Sequence, residues 1–179
     1  LAINNKKIVA IGECGLDYDR MFSTKENQLR CLEKHIVLAE KLNKPLFLHE
    51  RSAEQDFIRR FKRHSDICQK SVVHCFTGNK ATLDKYLTMG FFIGITGWIC
   101  DDQRAKELRE AVRLIPLDRI LIETDAPYLT PKNVPNLKRT NIPQNIKYVA
   151  KDVAKYMNVP EELLIQKARE NTKQLFGIK

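Results

Sequence analysis

The chain has 179 residues, 43% of them hydrophobic, which is enough to bury one sizeable core and lies within the usual length of one domain; a single domain over 1–179 is expected. Lysine and arginine outnumber aspartate and glutamate by 31 to 22, and the net charge of +9 suits either contact with a polyanion such as nucleic acid or a basic protein with no such partner. Five cysteines without a C-x-x-C pair argue against a disulfide framework or a zinc ribbon, no apolar run approaches the roughly 18 residues of a membrane span, and no leader pattern stands out, so a reducing cytoplasmic setting is expected.

In chain order, short apolar runs rich in β-branched residues alternate with longer amphipathic stretches. Strands are expected at 7–12 (KIVAIG), 45–48 (PLFL), 71–73 (SVV), 91–95 (FFIGI) and 119–124 (RILIET), each nearly continuous in apolar character, as in strands buried on both faces. Between the first two, Ser23 and Glu26 read as a capping box for a long helix carrying Leu29, Leu32, Ile36, Leu38, Ala39 and Leu42 at helical spacing. Further helices are expected at 53–63, 80–88 and 104–114. After the last strand, a loop over 127–141 leads into two terminal helices, the second starting near Pro160. The order predicts repeated βα units around a parallel sheet. A closed (β/α)8 barrel needs eight strands and typically about 250 residues, and five strands would leave two apolar edges open. The first residue is Leu1 and not Met. Roughly three βα units are therefore expected ahead of this chain in a longer protein.

On this skeleton four polar residues recur at equivalent places: Glu13, His49, His74 and Asp125 each follow a strand. Barrel enzymes assemble their sites on that C-terminal rim, and carboxylates with imidazoles suit borderline or hard divalent cations. A single His or Asp at a strand end is more often a satisfied structural group; four of the right type reverse that reading. His35 and His64 fall within helical stretches and are read as surface or structural groups. Cys14 and Cys75 adjoin ligand positions, but no base-and-orienter pattern marks them as nucleophiles, and they read as small packing residues. The cluster Arg59, Arg60, Lys62 and Arg63 suits a solvated helix face better than a phosphate contact.

Five motifs occur in order: I-G-E-C-G-L-D-Y (11–18), H-E-R (49–51), H-C-F-T-G (74–78), G-I-T-G-W (94–98) and I-E-T-D-A-P-Y-L (122–129). Together they make the chain resemble the TatD family, over essentially its whole length. The resemblance implies a (β/α)8 TIM-type barrel of the amidohydrolase kind, seen here as about five βα units, and metal-dependent hydrolysis of DNA, with exonuclease action on single strands. It implies that Glu13 is shared between two metals, that His49 and His74 hold one, and that Asp125 holds the other; in a two-metal hydrolysis Asp125 would orient the attacking water and accept its proton. Mg²⁺ or Mn²⁺ suits nucleic-acid hydrolysis, and Zn²⁺ fits the same ligands. Glu123 lies on the same side of its strand as Asp125 and reads as a barrel-lining carboxylate rather than a ligand. Arg51 is a candidate to grip a substrate phosphate, against an ion pair with Glu13 or Asp17. Trp98 is a candidate to stack on a base, against plain packing under its loop. Arg139 is carried over as a substrate-side residue and, with Asn141, as an organiser of its loop. Two departures stand out: the family's N-terminal H-x-H pair occurs nowhere in this chain, which leaves the metal of Asp125 under-coordinated, and Ile142 stands where a glutamate is usual. Two other readings stay open, a degenerate member that binds without catalysis and a barrel hydrolase acting on an ester, lactone or amide.

Overall fold

A computed structural model describes residues 5–179. The fold is α/β, with a parallel five-stranded sheet in the order β1-β2-β3-β4-β5. Its strands are β1 (Ile11–Asp17), β2 (Leu46–Arg51), β3 (Val72–Val73), β4 (Phe92–Ile95) and β5 (Ile120–Ile122). Helices α1 (Lys25–Leu42), α2 (Glu54–Phe61), α3 (Ser65–Cys68), α4 (Lys80–Thr88), α5 (Lys106–Val112), α6 (Ile146–Met157) and α7 (Glu161–Phe176), with short 3-10 turns at Gly97–Cys100 and Pro143–Asn145, complete it. The described residues form two compact units: one runs up to His74 and takes in Lys85–Phe92 and Lys173–Lys179, and the other holds Cys75–Asp84 and Ile93–Thr172.

In the first unit, β1 departs from the expected span 7–12: it begins at Ile11 and runs on through the polar residues to Asp17. The ladder explains the shift. The amide of Ile11 bonds the Pro45 carbonyl at 2.8 Å, and Pro45 has no N–H with which to extend the pairing backwards. Forward, Gly15 pairs His49, Leu16 pairs Glu50 and Asp17 pairs Arg51, so the two strands support each other past their apolar halves. Glu13 and His49 thus lie within strands, not after them. Thr24, not Ser23, caps α1: its hydroxyl accepts the Asn27 amide at 3.3 Å, while the Ser23 carbonyl takes the Gln28 side chain. Asn43, at φ +48, closes the helix in the left-handed conformation. The helix expected at 53–63 ends at Phe61, and a separate short turn of helix follows.

Phe57, Phe61, Tyr86 and Phe91 are fully buried in this unit. Phe57 meets the other three at ring centroid distances of 4.8, 5.5 and 5.9 Å. Removing a central aromatic leaves a cavity its rigid neighbours cannot fill, so Phe57→Ala is expected to cost about 3–5 kcal/mol. Urea unfolding checks this; a loss under about 1 kcal/mol would show that the quartet is not a packed core.

In the second unit, β4 and β5 pair in parallel through Ile93, Gly94 and Ile95 against Ile120, Leu121 and Ile122. The buried faces of α5 (Leu108, Ala111, Val112) and α6 (Val149, Ala150, Val153, Ala154) supply the core beside them. Asn171 of α7 donates to the carbonyls of Leu117 and Ile120 at 2.9 and 2.8 Å and ties the helix to the start of β5. The helix α4 matches its expected span; α5 is shorter than 104–114. Pro160 sits one residue before α7, its carbonyl accepting the Leu164 amide.

Candidate metal centre

Three of the four predicted ligands meet in the first unit. Glu13, His49 and His74 each offer a ligand atom, and those atoms lie within 4.8 Å of one another. Glu13 Oε1 is 3.2 Å from His49 Nδ1 and 2.9 Å from His74 Nε2.

The local backbone makes this approach possible. The β1–β2 register slips between Gly12 and Cys14, and the irregularity turns Glu13 toward the two rings, as bulges near sites commonly do. Gly15 has φ +154, and a Cβ there would sit 1.8 Å from the His49 carbonyl oxygen. Only glycine lets β1 run this close to the backbone that bears His49. His74 directly follows β3, and its amide bonds the Leu48 carbonyl at 2.8 Å, extending the pairing with β2. Its ring stacks on Phe47 at 4.7 Å and is 5% exposed. Glu50, next to His49, accepts the Ala53 amide at 2.7 Å and the hydroxyl of buried Tyr86 at 2.8 Å, which anchors the end of β2.

The hydrogen bonds to His49 and His74 hold the Glu13 carboxyl well below the usual carboxylate range, against the opposing effect of burial. An anionic, half-exposed carboxylate facing two ring nitrogens is a donor set that fits a divalent cation. The far nitrogen of His49, Nε2, faces Asp17 Oδ2 at 3.2 Å. Asp17 carries weight that the sequence reading missed. The signal was present: residues 13, 15 and 17 fall on one side of a strand.

Arg51 pairs with neither Glu13 nor Asp17, as the structural alternative had it, but with Asp19 at 2.8 Å, both side chains being well exposed. His64 bonds Glu40 at 2.6 Å, and the His35 ring bonds the Cys31 carbonyl, in keeping with structural roles. Burial pushes the thiols of Cys14 and Cys68 up to about 12 and that of Cys100 higher still, whereas Cys31 is exposed. The thiolate is the reactive form. A disulfide reagent at neutral pH should therefore label Cys31 first and reach Cys14, Cys68 and Cys100 only after denaturation; peptide mapping that found Cys14 among the fast sites would contradict this.

The second unit carries the remaining predicted residues. Glu123 accepts the Cys75 amide at 2.6 Å, a backbone-supporting role that agrees with its reading as a lining carboxylate. Asp125 lies three residues beyond β5 at φ +55, its carbonyl accepting the Tyr128 amide. Asn141, 2% exposed, donates to the carbonyls of Thr124 and Tyr128 and accepts from Asn145 and the Ile142 amide, so it does order the loop. Arg139 is exposed, and its carbonyl accepts the Thr130 hydroxyl. The guanidinium of Arg104 lies 4.2 Å over the Trp98 ring.

Among known proteins, the chain is similar to the 3'-5' ssDNA/RNA exonucleases TatD of Rahnella sp. (strain Y9602) and Escherichia coli K12. Both are 41% identical to it over 96% of its length. It spans 66% of the Rahnella protein and 67% of the other. Of solved structures, the TatD homologue YJJV of Escherichia coli K12 matches with a TM-score of 0.85 at 29% identity, over 97% of this chain and 65% of that one. A TatD family hydrolase of Entamoeba histolytica matches with a TM-score of 0.82 at 29% identity, over 95% of this chain and 64% of its own. The chain thus covers about two thirds of the relatives it resembles. The family model described as TatD related DNase matches residues 1–177, and this chain belongs to that family.

Proposed function

We propose that the protein hydrolyses phosphodiester bonds of single-stranded DNA from an end, using two divalent cations, and that this chain supplies Glu13, His49, His74 and Asp125 as ligands. The observation that carries the proposal is the meeting of Glu13 with both imidazoles at 3.2 and 2.9 Å. Magnesium or manganese is proposed, with zinc the alternative for the same donors. The reading takes the five strands as part of a (β/α)8 barrel and the protein as cytoplasmic; among the described residues, no helix is long and apolar enough to cross a membrane.

Bound cations would make a water more acidic and offset charge on the phosphoryl oxygens. The residues of the chain do the rest. Glu13 and the two histidines make up the donor set: the His74 ring is held by stacking on Phe47, and the pairing of β1 with β2 brings Glu13 to His49. Asp125 orients the water and takes its proton. Arg51 meets a substrate phosphate by exchanging Asp19, and a pair this exposed is cheap to open. Trp98, already sharing its ring with Arg104, takes a base from the substrate strand, and Arg139 meets the backbone from its exposed loop. The names of the TatD relatives support a nucleic-acid substrate.

The test is an assay of the full-length protein on end-labelled single-stranded DNA with Mg²⁺ and with Mn²⁺, alone and with chelator. Loss of cleavage under chelation, restored by added cation, is expected. Cleavage that persists in chelator would overturn the scheme.

A further inference from the structure

One chain of polar contacts in the first unit reaches the ligand cluster from outside it, and it begins on α1. Gln28 grips the backbone of Asp17 from both sides: its Oε1 accepts the Asp17 amide at 2.7 Å and its Nε2 donates to the Asp17 carbonyl at 3.0 Å. The same Nε2 reaches the Ser23 carbonyl at 2.9 Å, which holds the amide group in one orientation. Asp17 Oδ1 accepts the amides of Asp19 and Arg20 at 3.0 and 2.8 Å, fixing the rotation of the carboxylate. That leaves Oδ2 aimed at His49 Nε2, 3.2 Å away, while Nδ1 of the same ring faces Glu13. Arg20 Nε lies 3.7 Å from Oδ2, beyond hydrogen-bond reach, and its side chain is half exposed.

We infer that Asp17 is a positioning residue of the metal centre: it holds the proton of His49 on Nε2, so that Nδ1 is the bare nitrogen offered to the cation. The inference rests on the metal reading above. A neutral imidazole has one donor and one acceptor nitrogen, and a ligand nitrogen must be the unprotonated one. An ionised carboxylate only accepts; Glu13 faces Nδ1 as closely as Asp17 faces Nε2, but Glu13 is itself a proposed ligand, so with a cation bound the nitrogen facing Asp17 is the one that keeps the proton. Ligating histidines are commonly oriented in this way by a carboxylate on the far nitrogen. Asp17 is well suited to the task, because Gln28 and the two turn amides leave its carboxylate little freedom.

A plain turn-forming role would be met by Oδ1 alone, and Asp17→Asn separates the two. The asparagine keeps an oxygen for the amides of Asp19 and Arg20, but its NH₂ then faces Nε2 as a donor and favours the opposite tautomer. The full-length protein and the Asp17→Asn variant are compared for zinc affinity by competition with a chromophoric chelator, with Glu26→Gln as a control for charge. Loss of the orienting partner is expected to weaken zinc by about 10–100-fold, with the control at the parent value. Unchanged affinity in Asp17→Asn overturns the inference. Nitrogen-detected NMR of the zinc-loaded parent decides it without a variant: a proton on His49 Nε2 supports it, and a proton on Nδ1 overturns it. A parent that takes up no zinc overturns the metal reading itself, and the inference falls with it.

Discussion

Replacing His74 by alanine in the full-length protein is expected to weaken divalent metal by more than about 100-fold, beyond the cost of losing an orienting partner alone. The imidazole is buried between the Phe47 ring and Glu13, so no solvent group takes its place without rearrangement. Its removal leaves Glu13 with His49 as the other member of the close group. Nuclease activity should fall in parallel, and excess Mn²⁺ should recover part of it if affinity is what was lost. The substitution also opens space beside Phe47, so thermal unfolding of the metal-free variant has to be measured with it. Metal content equal to the parent in a folded variant would remove His74 from the ligand set.

The reading of the chain succeeded where a single physical rule dominates. Continuous apolar runs marked β2 to β5, and β1 only at its first residues, while the helical spacing after residue 24 marked α1, because burial on a sheet and on one helix face leaves these patterns directly. The meeting of Glu13, His49 and His74 was legible because they belong to motifs that resemble a family, and the strand pattern put them on or just after neighbouring strands. What could not be read depends on pairing. Both ends of β1 were placed too early because Gly12 to Asp17 is not a continuous apolar run: only Cys14 and Leu16 are buried apolar residues, and the segment is strand through its bonds to β2. The Asp19 partner of Arg51 and the Asp17 partner of His49 follow from the same register, which brings Asp17 opposite Arg51. Ser23 and Thr24 are equivalent cap candidates in one dimension, and only the hydroxyl-to-Asn27 geometry chooses between them. Asn141, by contrast, was anticipated as a loop organiser, and its four short bonds give the physical reason.

Asp125→Asn in the full-length protein is expected to lower kcat by about 10²–10⁴-fold, the range over which a positioned proton acceptor contributes. The backbone makes this a clean substitution. Asp125 stands at φ +55, where asparagine is as comfortable as aspartate and where alanine would be strained. The Tyr128 amide bonds the Asp125 carbonyl, a contact the change leaves intact, and Asn141 holds the loop independently through Thr124 and Tyr128. The variant should therefore fold as the parent does and lose the anionic oxygen that is proposed both to hold one cation and to take the proton. Because the lost group acts in the chemical step, KM for single-stranded DNA should change far less than kcat. The zinc taken up by Glu13, His49 and His74 should be retained, which distinguishes this variant from His74→Ala. A kcat near the parent value, with folding and metal content unchanged, would mean that the proton leaves by another group and that Asp125 has only a structural part in its loop.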